Sequence, residues 1–301
     1  CCRSSCGKGR FWPDRQDRSP LTPQMAELLH DTAYAKINLA LHVRHRRADG
    51  YHALETLFVF AEDGDELTAT PSDVFSLAIS GPFGQGLSTG PDNLVLKAVM
   101  ALAKANGIKS GLALTLDKNL PIAAGIGGGS ADAAAALRLA AKIWQLGPDT
   151  IGPEAIAPAI GADVPACLHA QSCYGSGVGD ALTNAPDLGL KGQPILLVNP
   201  NVACPTGPVF AAWDGVDRGP LSLKDWQLGR NDLEQPAIGL VPVITDVLAL
   251  LGKQPGVDLV RMSGSGATCF ALFSDAQKRD AAAKAIAAAR PSWWTLATRL
   301  C

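Results

Sequence analysis

The 301-residue chain carries 47% hydrophobic and 18% charged side chains, enough apolar material for well-filled cores in about two domains. Its 26 basic and 28 acidic residues leave a formal charge of −2, which excludes a global basic field for nucleic acid or an anionic membrane surface. No uninterrupted apolar run approaches the roughly eighteen residues of a spanning helix, and no long apolar signal-peptide core lies near the N-terminus, so a cytoplasmic protein is expected.

Cys1 to Pro23 is rich in Arg, Ser, Pro and Cys, lacks apolar periodicity, and precedes the first methionine, Met25. Residues 1–24 are expected to form a disordered tail without a function, an upstream extension or a misplaced gene start being the alternatives. Of the eight cysteines, Cys1, Cys2, Cys6 and Cys301 lie at the ends, and Cys167, Cys173, Cys204 and Cys269 are scattered through the body. None forms a C-x-x-C pair, so neither a zinc site nor a disulfide framework is expected.

Thr32 to Val43 alternates well enough for a half-buried strand, and Leu54 to Phe60 supplies a second; the polar stretch between them ends in the turn signal Asp49-Gly50. Lys36 interrupts the first strand, with Asn38 two residues on and therefore on the same face. Such a pair could line a polar cleft, or belong to a solvated face with His42 and Arg44. Asn93 to Asn106 places Leu94, Ala98, Leu102 and Ala105 at helical spacing, and Leu112, Leu114 and Leu116 alternate with Ala113, Thr115 and Asp117 as a strand.

Pro121-Ile-Ala-Ala-Gly-Ile-Gly-Gly-Gly-Ser-Ala-Asp132 follows, with four glycines in five residues, and runs into the alanine-rich helix former Ala133 to Ala141. Strand, glycine loop and helix N-terminus in that order make a cradle for a nucleotide phosphate, because the helix start offers unpaired N–H groups and positive charge. The run is neither a P-loop nor a dinucleotide fingerprint, since no Lys-Ser or Lys-Thr follows and the third glycine falls one place early. The competing reading is a turn that packs a helix tightly against a sheet.

Pro153 to Ala159 is a short helix candidate, closed by the turn Gly161-Ala-Asp-Val-Pro165. Asp163 in that small apolar turn is either a carboxylate with a task or a helix-capping or turn aspartate. Pro194 to Asn199 reads as a buried strand opening a second unit, with a boundary near Gly192 that divides the chain into 25–191 and 192–301. In that unit Val241 to Leu251 is helical and Asp258 to Met262 a strand. Ser263-Gly-Ser-Gly266 breaks the chain, Thr268 to Phe273 resumes it as strand, Ala276 to Ala288 is helical, and Trp293 to Thr298 closes. Helices and strands alternate without a strict parallel repeat, which favours α+β.

These blocks carry a resemblance. The glycine loop, Gly161-Ala-Asp-Val-Pro165, Asn231-Asp-Leu-Glu234 and Met262-Ser-Gly-Ser-Gly-Ala-Thr268 stand in the order found in the superfamily of galactokinase, homoserine kinase, mevalonate kinase and phosphomevalonate kinase, the GHMP kinases. Ala35-Lys-Ile-Asn-Leu-Ala-Leu-His-Val43, Arg47-Ala-Asp-Gly-Tyr-His52 and Leu54-Glu-Thr-Leu-Phe58 resemble the branch that phosphorylates a cytidine diphosphate derivative of methylerythritol on the route to isoprenoid precursors. The likeness runs from Ala33 to about Leu300.

The resemblance implies a two-domain α+β fold, a ribosomal-protein-like βαβ nucleotide-binding domain followed by a ferredoxin-like domain. It implies ATP held by Pro121, Ile122, Ala123, Ala124, Gly125, Ile126, Gly127, Gly128, Gly129, Ser130 and Ala131, with Mg²⁺ expected and Ser130 a ligand of the metal or of a phosphate oxygen. Asp163 would be the base and Lys36 its partner. Tyr51, His52 and Phe210 would hold the cytosine and Asn38 the methylerythritol end, so the partner is a small molecule and not nucleic acid or membrane. A homoserine- or mevalonate-type kinase has no need of the aromatic pocket, and a nucleotide-binding protein without phosphotransfer has no need of Lys36 and Asp163.

Overall fold

A computed structural model describes residues 28–301; the expected tail, with Cys1, Cys2, Cys6 and Met25, lies outside the described residues. The chain enters on β1 (Leu29–Arg46) and returns antiparallel on β2 (His52–Ser72), with Leu29 opposite Ala69 at one end and Arg46 opposite His52 at the other. Between them Gly50 takes a left-handed φ of +87°, and the Asp49 carboxylate accepts the Tyr51 N–H at 3.1 Å, the local chemistry that makes Asp-Gly a turn.

Both strands outrun the apolar pattern that announces them. β2 continues through Glu62-Asp-Gly-Asp-Glu66, which reads as loop by polarity. Asp65 is nevertheless fully buried against a lysine, and Gly64 admits the neighbouring strand so closely that a Cβ there would lie 2.0 Å from the Ala33 carbonyl oxygen. Beyond β2 come β3 (Ser76–Ser80), α1 (Leu94–Ala105), β4 (Gly111–Asp117) and α2 (Gly128–Ile143). Asn93 caps α1 by accepting the Val95 N–H at 2.9 Å. After α3 (Pro153–Ile160) and α4 (Val164–His169), β5 (Cys173–Ser176) and β6 (Ala181–Asn184) complete a six-stranded sheet. β1 runs along one edge of β2, while β4 and β5 share its other edge, with β3 outside β4 and β6 outside β5.

The second sheet is built from β7 (Pro194–Asn199), α5 (Thr206–Ala211), α6 (Glu234–Leu240), α7 (Val243–Gly252), β8 (Val257–Met262), β9 (Cys269–Phe273), α8 (Ala276–Ala289) and β10 (Trp294–Arg299). Its strands lie in the order β10-β7-β9-β8 with every neighbour antiparallel, the ferredoxin-like arrangement that the resemblance implied.

Three apolar layers fix these parts. α2 packs on β1, β2, α1 and α4, and its alanines at 131, 133–136 and 140 are buried, so small side chains let it lie close on all sides. A second core joins α5, α6, α7 and α8 to the outer face of the second sheet. The third lies between the two sheets, with Ile37, Leu39, Leu57 and Val59 facing Ile195, Leu197, Phe270 and Leu272. Because Ala35, Ile37 and Leu39 point into that layer, the period of two sends Lys36 and Asn38 the other way. Cys167, Cys173, Cys204 and Cys269 are buried free thiols, as expected of structural cysteines.

Candidate active site

The face of β1 that carries Lys36 and Asn38 opens on a cleft of about 960 Å³ lined by the β1–β2 turn, the glycine loop, the Asp163 turn, α5 and the Gly264-Ser265 turn. Lys36 is the pivot. Its backbone N–H bonds the Ile126 carbonyl at 3.0 Å, which ties the free edge of β1 to the glycine loop. Its side chain, only 4% exposed, runs past Gly127, where a Cβ would lie 2.9 Å from Cε, so the glycine leaves the lysine room on its way to the cleft. Nζ then lies 3.0 Å from Asn38 Oδ1, 3.3 Å from Asp163 Oδ2 and 4.4 Å from the centre of the Phe58 ring. The Asn38 amide is held in turn by donating to Thr56 Oγ1 at 2.7 Å, and Thr56 donates to the Ala40 carbonyl at 2.8 Å.

Asp163 occupies the N-cap position of α4 but makes no capping hydrogen bond, so the capping alternative fails. Its carboxylate, 39% exposed, turns instead to Lys36 across the cleft. Residues 127 positions apart in the chain therefore meet as an ion pair, one member buried and the other open to a ligand.

α2 begins at Gly128, earlier than its alanines, with Gly127 before it at φ +67°. The first helical bond runs from the Ala131 N–H to the Gly127 carbonyl at 2.8 Å, leaving the N–H groups of Gly128, Gly129 and Ser130 without partners inside the helix. Gly125, Gly127, Gly128, Gly129 and Ser130 line the cleft, as do Ala123 and Ala124. Ile126 and Ala131 send their side chains into the core, so only their backbone faces the loop. Pro121 and Ile122 instead border a smaller cavity of about 300 Å³, which Ala123 shares and which Leu87, Ser88, Asn93, Leu94, Leu116, Lys118 and Asp132 also line. Sequence reasoning missed this cavity because the loop after β3 carries no periodic signal.

Beneath the loop lies a second feature unread in the sequence. Lys118 donates to Asp65 and, at 2.7 Å, to Asp132 Oδ2, while Asp65 Oδ1 also accepts the Leu120 N–H at 2.7 Å. All three side chains are buried, and Asp132 Oδ1 has no partner. Burial lifts the Asp132 carboxyl to about 7, with Lys118 pulling against the shift and Asp65 adding to it.

At the other end of the cleft His52 and Phe210 stack at 5.1 Å with a 34° tilt, and Trp213 meets His52 edge-on at 5.6 Å. Burial, helped by the charge of Arg46, pushes His52 below its ordinary 6.5, which favours the neutral ring that can both donate and accept. Tyr51 stands 66% exposed at the rim. Trp213 went unread; it lies just past the end of α5, where its N–H bonds the Phe210 carbonyl at 3.2 Å.

Ser263 joins the halves. Its hydroxyl accepts the Asn38 N–H at 3.1 Å and donates to the Gly125 carbonyl at 2.9 Å. The Gly264-Ser265-Gly266 turn thus packs on the glycine loop, so closely that a Cβ on Gly125 would lie 2.4 Å from the Ser263 carbonyl oxygen.

This fold and this loop define a class. Residues 93–171 match the family model for the GHMP kinases N terminal domain, and residues 219–292 match GHMP kinases C terminal. A homoserine kinase from Cytophaga hutchinsonii shares the fold at a TM-score of 0.62 and 16% identity over 93% of this chain and 98% of that one. The chain is 52% identical, over 98% of its length and 99% of the relative's, to the 4-diphosphocytidyl-2-C-methyl-D-erythritol kinase of Rhizorhabdus wittichii. It is 53% identical, over 89% and 91%, to the enzyme of that name from Novosphingobium aromaticivorans. A crystal structure of 4-(cytidine 5'-diphospho)-2C-methyl-D-erythritol kinase superposes at a TM-score of 0.77 with 33% identity, covering 90% of this chain and 99% of that one. Within the GHMP kinases the chain belongs to the 4-diphosphocytidyl-2-C-methyl-D-erythritol kinase family. No helix among the described residues is long and apolar enough to cross a membrane.

Proposed function

We propose that the chain transfers the terminal phosphoryl group of ATP to the 2-hydroxyl of 4-diphosphocytidyl-2-C-methyl-D-erythritol, a step towards isoprenoid precursors, with Asp163 as base and Lys36 as its partner. The observation that carries this reading is the Lys36–Asp163 pair at 3.3 Å, set in the same cleft as the unpaired N–H groups at the start of α2. An acceptor hydroxyl entering between the two would give its proton to Asp163 as the oxygen attacks, while the Lys36 ammonium stabilises charge growing on oxygen and phosphoryl. Asn38, held by Thr56, keeps the ammonium in place and offers its amide to the acceptor end.

The N–H groups of Gly128, Gly129 and Ser130 would hold the ATP phosphates, and the smaller cavity beside Leu94 and Leu116, with polar Ser88 and Asn93 on its wall, would take the adenosine. Mg²⁺ travelling with ATP needs only one or two protein oxygens, because phosphates and water supply the rest. The Ser130 hydroxyl lines the cleft and fits that requirement; the ion would neutralise phosphate charge. Tyr51, His52, Phe210 and Trp213 would receive the cytosine, an aromatic slot for a flat base. The protein is read as a cytoplasmic enzyme whose partner is this small molecule, with its two units meeting near Gly192, between β6 and β7.

A coupled assay of ADP release with Mg·ATP tests the reading against homoserine and mevalonate. Turnover with the cytidyl compound alone is expected. Turnover with another alcohol would overturn the pocket assignment, and ATP binding without turnover on any of the three would overturn the kinase reading.

A further inference from the structure

Two permanent cations line the cleft, Lys36 and Arg46, and Arg44 and Arg47 stand beside them in the hairpin. Lys36 is paired with Asp163 at 3.3 Å. Arg44, on the same strand, binds Glu55 at 3.2 Å and Asp217 at 3.1 Å, and Arg47 binds Asp49 at 2.8 Å. Arg46 differs. Its side chain lines the cleft, is exposed, and has neither an ion-pair nor a hydrogen-bond partner among the described residues. A chain that neutralises the arginines on either side leaves this one charge open towards the ligand space.

Its position is fixed by the hairpin. Arg46 is the last residue of β1 and stands directly opposite His52, the first of β2. Directly opposed side chains rise from the same face of a ladder, about 5 Å apart at Cβ. Both line the cleft, and the arginine's charge reaches the ring, where it adds to burial in lowering the titration of His52. The open guanidinium therefore borders the base slot made by His52, Phe210 and Trp213.

From this juxtaposition we infer that Arg46 is a substrate-binding residue which grips the diphosphate attached to the base held at His52; the inference rests on the substrate reading above. A diphosphate leaving the aromatic slot carries at least two negative charges on its way to the hydroxyl at Asp163, and Lys36 is already committed there. The planar fork of a guanidinium matches a phosphate's oxygens in a bidentate way that an amine cannot. Arg46 thus measures the charge that follows the base, while the aromatic rings measure the base itself.

Calorimetry with cytidine and with CDP, both in saturating ADP to occupy the glycine loop, tests this on the wild-type protein and on Arg46→Gln. Wild type should bind CDP about tenfold more tightly than cytidine, a gap that shrinks with added salt as expected of a solvent-facing ion pair. Arg46→Gln should close that gap and leave cytidine affinity unchanged, and Arg46→Lys should restore part of it. In turnover, Arg46→Gln should raise KM for the cytidyl substrate and leave KM for ATP as it was. A variant that keeps the full preference for CDP overturns the role of Arg46 and spares the base slot. Failure of wild type to bind either compound overturns the base slot, and this inference with it.

Discussion

Two carboxylates near the glycine loop sit in opposite surroundings. Asp163 is open to the cleft and faces one ammonium, so it can receive a proton from a bound hydroxyl. Replacing it with Asn keeps the shape and removes the proposed base. Such a change should cost about 10²–10⁴-fold in kcat, with ATP affinity by calorimetry close to wild type; kcat within tenfold of wild type would make the carboxylate dispensable. Asp132 is sealed beneath the loop with Lys118 and Asp65, and burial raises it from 3.8 to about 7. A raised acid favours folding while it holds its proton. That contribution is fully present below about pH 3.8, declines as pH rises, and is gone once pH passes 7. Between pH 5 and 7 the wild type should therefore lose on the order of 1 kcal/mol per pH unit relative to Asp132→Asn. Thermal melts of both proteins at pH 5, 6 and 7 check it, and parallel curves would remove Asp132 as the titrating group.

At the scale of elements, the glycine loop depends on space as much as on flexibility. Gly125 has φ +74°, and a Cβ there would strike the Ser263 carbonyl and the Gly266 amide, backbone atoms that cannot swing aside. Gly50 has φ +87° with nothing within 4 Å. Gly50→Ala should cost only the left-handed strain, about 1–2 kcal/mol. Gly125→Ala should lower Tm further and weaken ATP binding as well, a contrast that melts and calorimetry would read; equal losses at both sites would leave conformation as the whole explanation. What the sequence discloses about these elements follows the range of its signals. Lys36 and Asn38 are legible as a pair because they are two residues apart on a strand, and Asp163 because a lone acid in a small apolar turn is conspicuous. The Asp65–Lys118–Asp132 triad is invisible, since three distant segments converge only when β2, β4 and α2 pack. β5 and β6 give no periodic signal because four-residue strands have no room for a period, and β2 outruns its apolar pattern because the run of acids around buried Asp65 reads as loop.

Across the whole molecule, the layer between the sheets makes the two units one cooperative body. Phe270 is fully buried there beside Ile195 and Leu197 and across from the hairpin. Phe270→Ala should cost about 3–5 kcal/mol and lower a single calorimetric transition rather than detach one unit from the other. Two separate melts in the wild type would contradict that unity. A smaller link between the same halves has a different consequence. The Ser263 hydroxyl belongs to the second unit and at once holds the backbone of Asn38, beside the acceptor, and that of Gly125, in the phosphate loop. A shift of either backbone segment can thus reach the other through one atom. Occupancy of one subsite should then reset the affinity of its neighbour, and linkage makes the debt reciprocal: whatever factor ATP lends to the alcohol, the alcohol returns to ATP.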